Sequence, residues 1–170
     1  MSGIRLEVFA AAHLDSLDSL VADPDTRRFT RIPEHAPPDF ARTWLERYEL
    51  GRREGTREAF VVVDSSDGTF LGMTMAPRID REAATAELGY VISPEARGRG
   101  VATEALRQTT RWAFTEGMLR LELLIDVGNP ASKRVAERCG YVFEGVMRSV
   151  HFKADLRGDT ELWSRLPTDP

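Results

Sequence analysis

The hydrophobic period changes partway along the chain, and this change restricts the possible folds more than any other feature of the sequence. Three strand-type runs follow one another at Glu58–Asp64, Phe70–Pro77 and Ala84–Ile92, with a hairpin signal at Ser65–Gly68 between the first two. The period then becomes helical over Ala102–Ala113, and strand-type and helix-type runs alternate beyond it. Three strands in a row predict an antiparallel meander, and the strand–helix–strand unit after it predicts one parallel pair.

The remaining elements predict an α/β (α+β) fold with a mixed, mostly antiparallel sheet. We expect further strands at 4–8, 119–127, 141–152 and 159–166, the last two joined by a turn at Arg157-Gly158, and further helices at 14–21, near 40–48 and at 131–138. Asp23–Asp25, between the first two helices, is expected to be a turn. This order gives a central sheet of about six or seven strands, covered on both faces by about four helices, in one domain over residues 1–170.

The composition argues against several classes of partner. The formal net charge is −4 and the acidic and basic residues are interleaved, so the sequence has no broad positive face for nucleic acid. The single cysteine, Cys139, and three scattered histidines predict neither a disulfide framework nor a metal site. There is no leader pattern and no apolar run near the ~20 residues that cross a bilayer, so we expect a cytoplasmic protein without a membrane segment.

Residues 90–102 read Tyr-Val-Ile-Ser-Pro-Glu-Ala-Arg-Gly-Arg-Gly-Val-Ala, so a strand runs into a glycine-containing turn and then directly into a helix. Free main-chain N–H groups at such a helix start bind anions such as a pyrophosphate, and Gly98 and Gly100 allow a close approach to the main chain. Arg97 and Arg99 are expected to add positive charge. The loop lacks the Walker Lys-Ser/Thr pair and is too short for Gly-x-Gly-x-x-Gly, which disfavours ATP and NAD. Taken alone, the segment is equally well an exposed turn that caps a helix.

Two motifs in register resemble those of the GNAT acetyltransferases. Arg97-x-x-Gly100-x-Ala102 is similar to the pyrophosphate loop of that family, and Asn129-Pro130-x-Ser132, followed by Ala-Glu-Arg-Cys-Gly-Tyr at 136–141, is similar to its second motif. The resemblance implies the GNAT fold and acetyl-CoA as the cosubstrate. It also implies cofactor contacts from the main chain of Val91 and Ile92, from the loop residues Arg97, Gly98, Arg99, Gly100, Val101 and Ala102, and from Asn129 and Ser132.

Segments 87–90, 144–148 and Gly158-Asp159 further resemble the branch that acetylates the N-termini of ribosomal proteins (RimJ/RimL type). This branch implies the N-terminal amine of a protein as the acceptor, and dimers are common in the family. Two alternatives stay open: a small amine such as an antibiotic, a polyamine or an amino-acid derivative, and a CoA-binding regulatory module without catalysis. A wide cleft would fit a peptide tail, whereas a closed acidic pocket with residues such as Glu34, Asp39 or Glu46 would fit a polycation.

Acetyl transfer requires a base for the amine and a proton donor for the departing thiolate. Glu87, on the strand that enters the proposed site, is the candidate base, and a structural carboxylate paired with an arginine is the alternative. The position of the family's usual tyrosine acid is occupied by Ala136. The resemblance makes Ser132 the candidate acid, with a helix cap or a pantetheine contact as the alternatives. Asn129 is expected to contact the cofactor or to cap its helix.

Several other residues are candidates for roles near the site. Cys139 is expected to be a structural thiol, because no histidine lies near it in the sequence. Phe40, Trp44 and Tyr48 form an aromatic stripe at helical spacing, which predicts either a lid over the acceptor or a part of the core. His151 and Asp159 are expected to face the acceptor pocket from the last two strands.

Overall fold

The computed structural model describes residues 3–170, and these contain seven strands and five α-helices. The strands are β1 (Ile4–Val8), β2 (Glu58–Asp64), β3 (Phe70–Asp80), β4 (Thr85–Ile92), β5 (Arg120–Asp126), β6 (Val142–Lys153) and β7 (Leu156–Arg165). The helices are α1 (Leu14–Ala22), α2 (Pro24–Phe29), α3 (Phe40–Glu54), α4 (Val101–Thr115) and α5 (Pro130–Arg138).

The strands form one mixed sheet in the order β1-β2-β3-β4-β5-β7-β6. Strands β1 to β4 are antiparallel neighbours, and β5, β7 and β6 are antiparallel neighbours. Among the strands of residues 3–170, only β4 and β5 are parallel, because α4 carries the chain back across the sheet between them. The predicted meander and the predicted parallel pair are therefore both confirmed.

Helices cover both faces of the sheet, because consecutive buried side chains of β2 point to opposite faces. Val61 and Val63 pack into one cluster with α1 and α3, whereas Val62 between them packs on the opposite face with α4. Trp44 and Tyr48 of α3 are buried in the first cluster, where their rings make an edge-on contact. These two aromatic residues are therefore core residues and not a mobile lid.

Two local predictions are wrong. Residues from Pro24 form the helix α2 and not a turn, because the Asp23 carboxylate caps the helix by accepting the Thr26 N–H at 2.7 Å. The turn between β6 and β7 lies at Ala154-Asp155, and Arg157-Gly158 belong to β7. Both turn residues have positive φ angles, +49° and +62°, as a two-residue type I′ hairpin requires.

Candidate active site

The parallel strands β4 and β5 separate halfway along their length. They pair from Thr85 with Arg120 to Leu88 with Leu123, and the described residues contain no further pair between them. Residues 89–92 of β4 stay paired with β3 on their other side. Main-chain groups at the edge that faces β5 are therefore available to an extended ligand, as at the edge of any sheet, except the Ile92 C=O, which accepts a hydrogen bond from Arg97.

A β-bulge in β3 lies at the level where the two strands separate. Met75 pairs with Gly89 and Arg78 pairs with Glu87, so two residues of β3, Ala76 and Pro77, lie opposite one residue of β4. Pro77 has no N–H to donate, which suits a bulge. Bulges increase local twist and bend a strand, so this one gives a local reason for β4 to turn away from β5.

The loop between β4 and α4 presents unpaired N–H groups. Gly98 and Gly100 have φ angles of +73° and +82°, and Gly100 is the N-cap of α4 without a side-chain cap. The first main-chain bond of the helix joins Glu104 N–H to Gly100 C=O. Within residues 3–170, no acceptor bonds the N–H groups of 98–103, so these donors are available to an anion.

The two arginines of the loop are in different surroundings. The Arg97 guanidinium binds the carboxylates of Asp23 and Asp25 and the Thr26 hydroxyl, and its Nε donates to the C=O of Ile92 at 3.1 Å. Burial opposes the effect, but hydrogen bonds from Arg97 and Thr26 lower the pKa of Asp23. Arg97 therefore fastens α2 to the end of β4, and the positive charge that we expected from it is balanced by two aspartates. Arg99 is exposed.

The start of α5 borders the gap on the α4/α5 face. Asn129 Oδ1 accepts the Ser132 N–H at 3.1 Å, so the capping role that we considered for Asn129 is present. Within residues 3–170, neither the Ser132 hydroxyl nor the Asn129 side-chain NH₂ has a hydrogen-bond partner. The Tyr90 hydroxyl approaches the Ser132 C=O at 3.5 Å, and burial raises the pKa of this tyrosine to about 12. Tyr90 was not predicted as a site residue, because the motif segments that contain it give its hydroxyl no role, although it lies two residues beyond Leu88 on the same face.

Glu87 borders the gap from the opposite face of the sheet. Val91, four residues further along β4, packs against the cluster of α1 and α3. Every second residue of a strand points to the same face, so Glu87 lies on the face of Val91. The Glu87 side chain is 12 % exposed and lies 3.6 Å from the guanidinium of Arg31, which is 65 % exposed. The arginine pairing that we considered as the alternative is therefore present, with a partner that is free to move into solvent.

A cleft of about 560 Å³ opens on the same side of the sheet, at the C-terminal end of β5. Asp126 forms the floor of the cleft. It lies on the same face of the sheet as Glu87, because it shares a face with Glu122, the residue of β5 in register with Glu87. The walls come from α2, from Glu34 and His35, and from the β6–β7 hairpin, including His151, Lys153 and Arg157. His151 is one of the residues that line this cleft.

Other predicted residues lie elsewhere. The Asp159 carboxylate accepts the Ser149 N–H at 2.8 Å, and Asp159 is absent from the cleft lining. Of the three carboxylates considered for a polycation pocket, Glu34 lines the cleft, whereas Asp39 and Glu46 do not.

The remaining chemistry-bearing groups are few. Cys139 is buried with its Sγ 3.4 Å from the Thr103 C=O, and burial raises the pKa of its thiol. A neutral buried thiol is a poor nucleophile, which favours the structural role. Among residues 3–170, no three His, Cys, Asp or Glu side chains are grouped so that they hold a metal ion. None of the helices in that range has the length and apolar character needed to cross a membrane.

Comparison with known proteins identifies the family. Residues 4–142 match the model described as "Acetyltransferase (GNAT) domain", so the chain belongs to the GNAT acetyltransferase family. The predicted family and the predicted GNAT fold are thereby confirmed. The solved structure of RimL, a ribosomal L7/L12 alpha-N-protein acetyltransferase in complex with coenzyme A, has the same fold with a TM-score of 0.88. It is 19 % identical in sequence, and the match covers 98 % of this chain and 95 % of RimL.

Two curated relatives differ in their acceptors. The ribosomal-protein-serine acetyltransferase of Escherichia coli (strain K12) is 28 % identical over 115 residues, which are 67 % of this chain and 63 % of that protein. The spermidine N(1)-acetyltransferase of the same strain is 27 % identical over 106 residues, 62 % of this chain and 56 % of that protein. The chain thus spans less than two thirds of the length of either relative.

Proposed function

We propose that the protein transfers the acetyl group of acetyl-CoA directly to a primary amine, and that this amine is the N-terminus of a protein. One observation carries the proposal. The gap between β4 and β5 is bordered by Ser132 on one face of the sheet and by Glu87 on the other. An acceptor and a leaving group therefore have separate entrances to one reaction centre.

The residues around the gap fit acetyl-CoA. The unpaired N–H groups of 98–103 and the positive end of the α4 dipole suit a pyrophosphate, and the side chain of Arg99 adds a charge. The open edge of β4 at Val91 and Ile92 suits the pantetheine amides, which resemble an added strand. The free NH₂ of Asn129 is a further donor. From Arg97 we retain only the main chain as a contact.

The chemistry needs two proton transfers. Glu87 takes a proton from the ammonium group, directly or through water, so that the amine nitrogen can attack the thioester carbonyl. A main-chain N–H near Val91 or Ile92 stabilises the oxyanion. As the C–S bond breaks, Ser132 supplies the proton for the thiolate, and the neighbouring phenol of Tyr90, kept protonated by burial, is a second source.

The open cleft supports a polymer as the acceptor. It lies on the Glu87 face and is lined by four separate parts of the chain, which suits an extended segment better than a small amine. A regulatory module without catalysis is disfavoured, because Glu87 and Ser132 border the same gap. The homodimer and the cytoplasmic location stay predictions.

Release of free CoA thiol from acetyl-CoA, measured with a panel of N-terminal peptides and small amines, tests the proposal. We expect peptide-dependent release that falls about a hundredfold or more in Glu87→Gln, the range of general base catalysis, and at least tenfold in Ser132→Ala. Binding of acetyl-CoA is expected to be unchanged in Glu87→Gln. Glu122→Gln, one strand away on the same face, is the matched control and should retain most of the activity.

Two results would overturn the proposal. Tight binding of acetyl-CoA without turnover on any amine would indicate a regulatory module. An absence of binding would mean that the loop at 97–102 has another role.

A further inference from the structure

The cleft on the Glu87 face is basic, although the chain as a whole carries a formal charge of −4. Four basic side chains line it, namely Arg27, Arg28, Lys153 and Arg157, against the two carboxylates of Glu34 and Asp126. Within residues 3–170, none of these four cations has a carboxylate within the 4.0 Å of an ion pair. An excess of positive over negative side chains in one cleft is unfavourable unless an anion binds among them.

The cations are held in place by contacts other than ion pairs. Lys153 donates to the C=O groups of Arg27 and Thr30, which fastens the β6–β7 hairpin to α2. Arg28 stacks on the Phe29 ring at 4.9 Å, and Arg157 stacks on the Phe152 ring at 5.2 Å. Charges that are already oriented bind an anion with little further loss of side-chain entropy.

The surroundings of Lys153 agree with a site made for negative charge. Burial lowers the pKa of Lys153, and the nearby charge of Arg27 lowers it further, while Glu34 acts in the opposite direction. An anionic side chain placed between these cations would relieve their repulsion.

Two features connect the cleft to Glu87. Asp126 is four residues beyond Glu122 on β5, and Glu122 is in register with Glu87, so the floor of the cleft begins ~13 Å from the base at 3.3 Å per residue. The segment before α3 follows the same path, since Arg31 contacts Glu87 and Glu34 lines the cleft. An extended peptide covers ~13 Å in about four residues.

We infer that the acceptor is an N-terminal segment with acidic side chains about three to five residues from its amine, which bind the basic cleft. The inference rests on the proposed function and names its substrate class. A polyamine is a poor match, because its positive charges would enter a positive cleft. A small anionic amine reaches either Glu87 or the cleft, but it does not span both.

The test compares peptides that share their first two residues and differ at positions three to five, where they carry Asp and Glu, Asn and Gln, or Lys. We expect kcat/KM to fall in that order. The difference in kcat/KM between the three peptides should disappear near 1 M salt, where the Debye length is ~3 Å. Arg28→Gln and Arg157→Gln should each lower kcat/KM for the acidic peptide about three- to fivefold, as the loss of an exposed ion pair does, and should lower it less for the neutral peptide.

Two further variants make the test independent of folding. Arg157→Glu should move the preference toward the Lys peptide, which a merely unstable protein would not do. Arg53→Gln removes the same charge from the exposed end of α3, which packs against β2 and is not part of the cleft lining, and should change nothing.

The outcomes separate this inference from the proposed function. If no peptide is acetylated at saturating acetyl-CoA, the proposed function fails. If the rates of peptide acetylation do not depend on peptide charge, the inference about the acidic acceptor is wrong. It is also wrong if spermidine or free glutamate is preferred to every peptide.

Discussion

Glu144 holds three strands of the sheet together through one carboxylate. It accepts two hydrogen bonds from Arg120 of β5, at 2.8 and 2.7 Å, and one from the Ser164 hydroxyl of β7, at 2.5 Å. The Arg120 guanidinium and then the Ser164 hydroxyl lower the pKa of Glu144 to about 2. The side chain is 37 % exposed, so solvent weakens the energetic effect of this shift.

Replacing Glu144 by glutamine should remove a stabilisation that depends on pH. The folded pKa of about 2 lies below the usual 4.5, so the stabilisation is complete above 4.5 and is lost as the pH falls toward 2. We expect Glu144→Gln to lower the free energy of unfolding at pH 7 by about 1 kcal/mol or less. Urea unfolding at several pH values measures this.

The difference between wild type and Glu144→Gln should shrink between pH 4.5 and 2. Glu137→Gln, at an exposed position of α5, should show no such change. A difference that stays constant across this interval would contradict the assignment.

Single site residues divide into those that a motif reveals and those that only the fold reveals. Ser132, Asn129 and the loop glycines are local, because the chemistry of a helix start depends on neighbours in sequence. The pairing of Glu87 with Arg31 and the approach of Lys153 to α2 join residues far apart in the chain. No spacing in one sequence contains that information.

At the scale of elements, Gly72 of β3 permits the close approach of β3 and β4 beside the gap. Its φ is +148°, and a Cβ there would lie 2.3 Å from the Val91 C=O and 2.9 Å from Ile92 Cα. Both contacts are with main chain, which cannot move aside cheaply. Gly72 therefore fixes the position of the strand segment that we assign to the pantetheine.

Gly72→Ala is expected to cost about 1–3 kcal/mol or more of stability and to weaken acetyl-CoA binding, because β4 must shift. Chemical denaturation and calorimetric titration measure the two effects. Gly3→Ala, just before β1 and outside the site, is the control, since its Cβ would meet only the Ser65 Oγ at 3.7 Å. An equal loss in both variants would contradict this reading of Gly72.

The period of the sequence predicted every strand and four of the five helices in the described residues. The missed helix, α2, has six residues and too little of an apolar face to give a helical period. The turn between β6 and β7 was predicted at 157–158 and lies at 154–155. The glycine at 158 is the stronger local turn signal, but pairing across the sheet sets the strand register and therefore the position of the turn.

For the whole molecule, the sheet separates two environments around one gap. Helices α4 and α5 bring unpaired N–H groups and Ser132 to one face, while the other face carries Glu87 and a basic cleft. The composition disfavoured nucleic acid by its charge, but a net charge averages over the surface and did not reveal the local cluster of cations.

The most direct test of this account is hydrogen exchange of the protein with and without acetyl-CoA. The N–H groups of 98–103 have no acceptor in the described structure, so they should exchange fast in the free protein and slowly in the complex. Acetylpantetheine, which lacks the pyrophosphate, should protect 89–92 and leave 98–103 fast. Protection confined to other segments, or identical patterns with the two ligands, would contradict the assignment of the gap and its loop to acetyl-CoA.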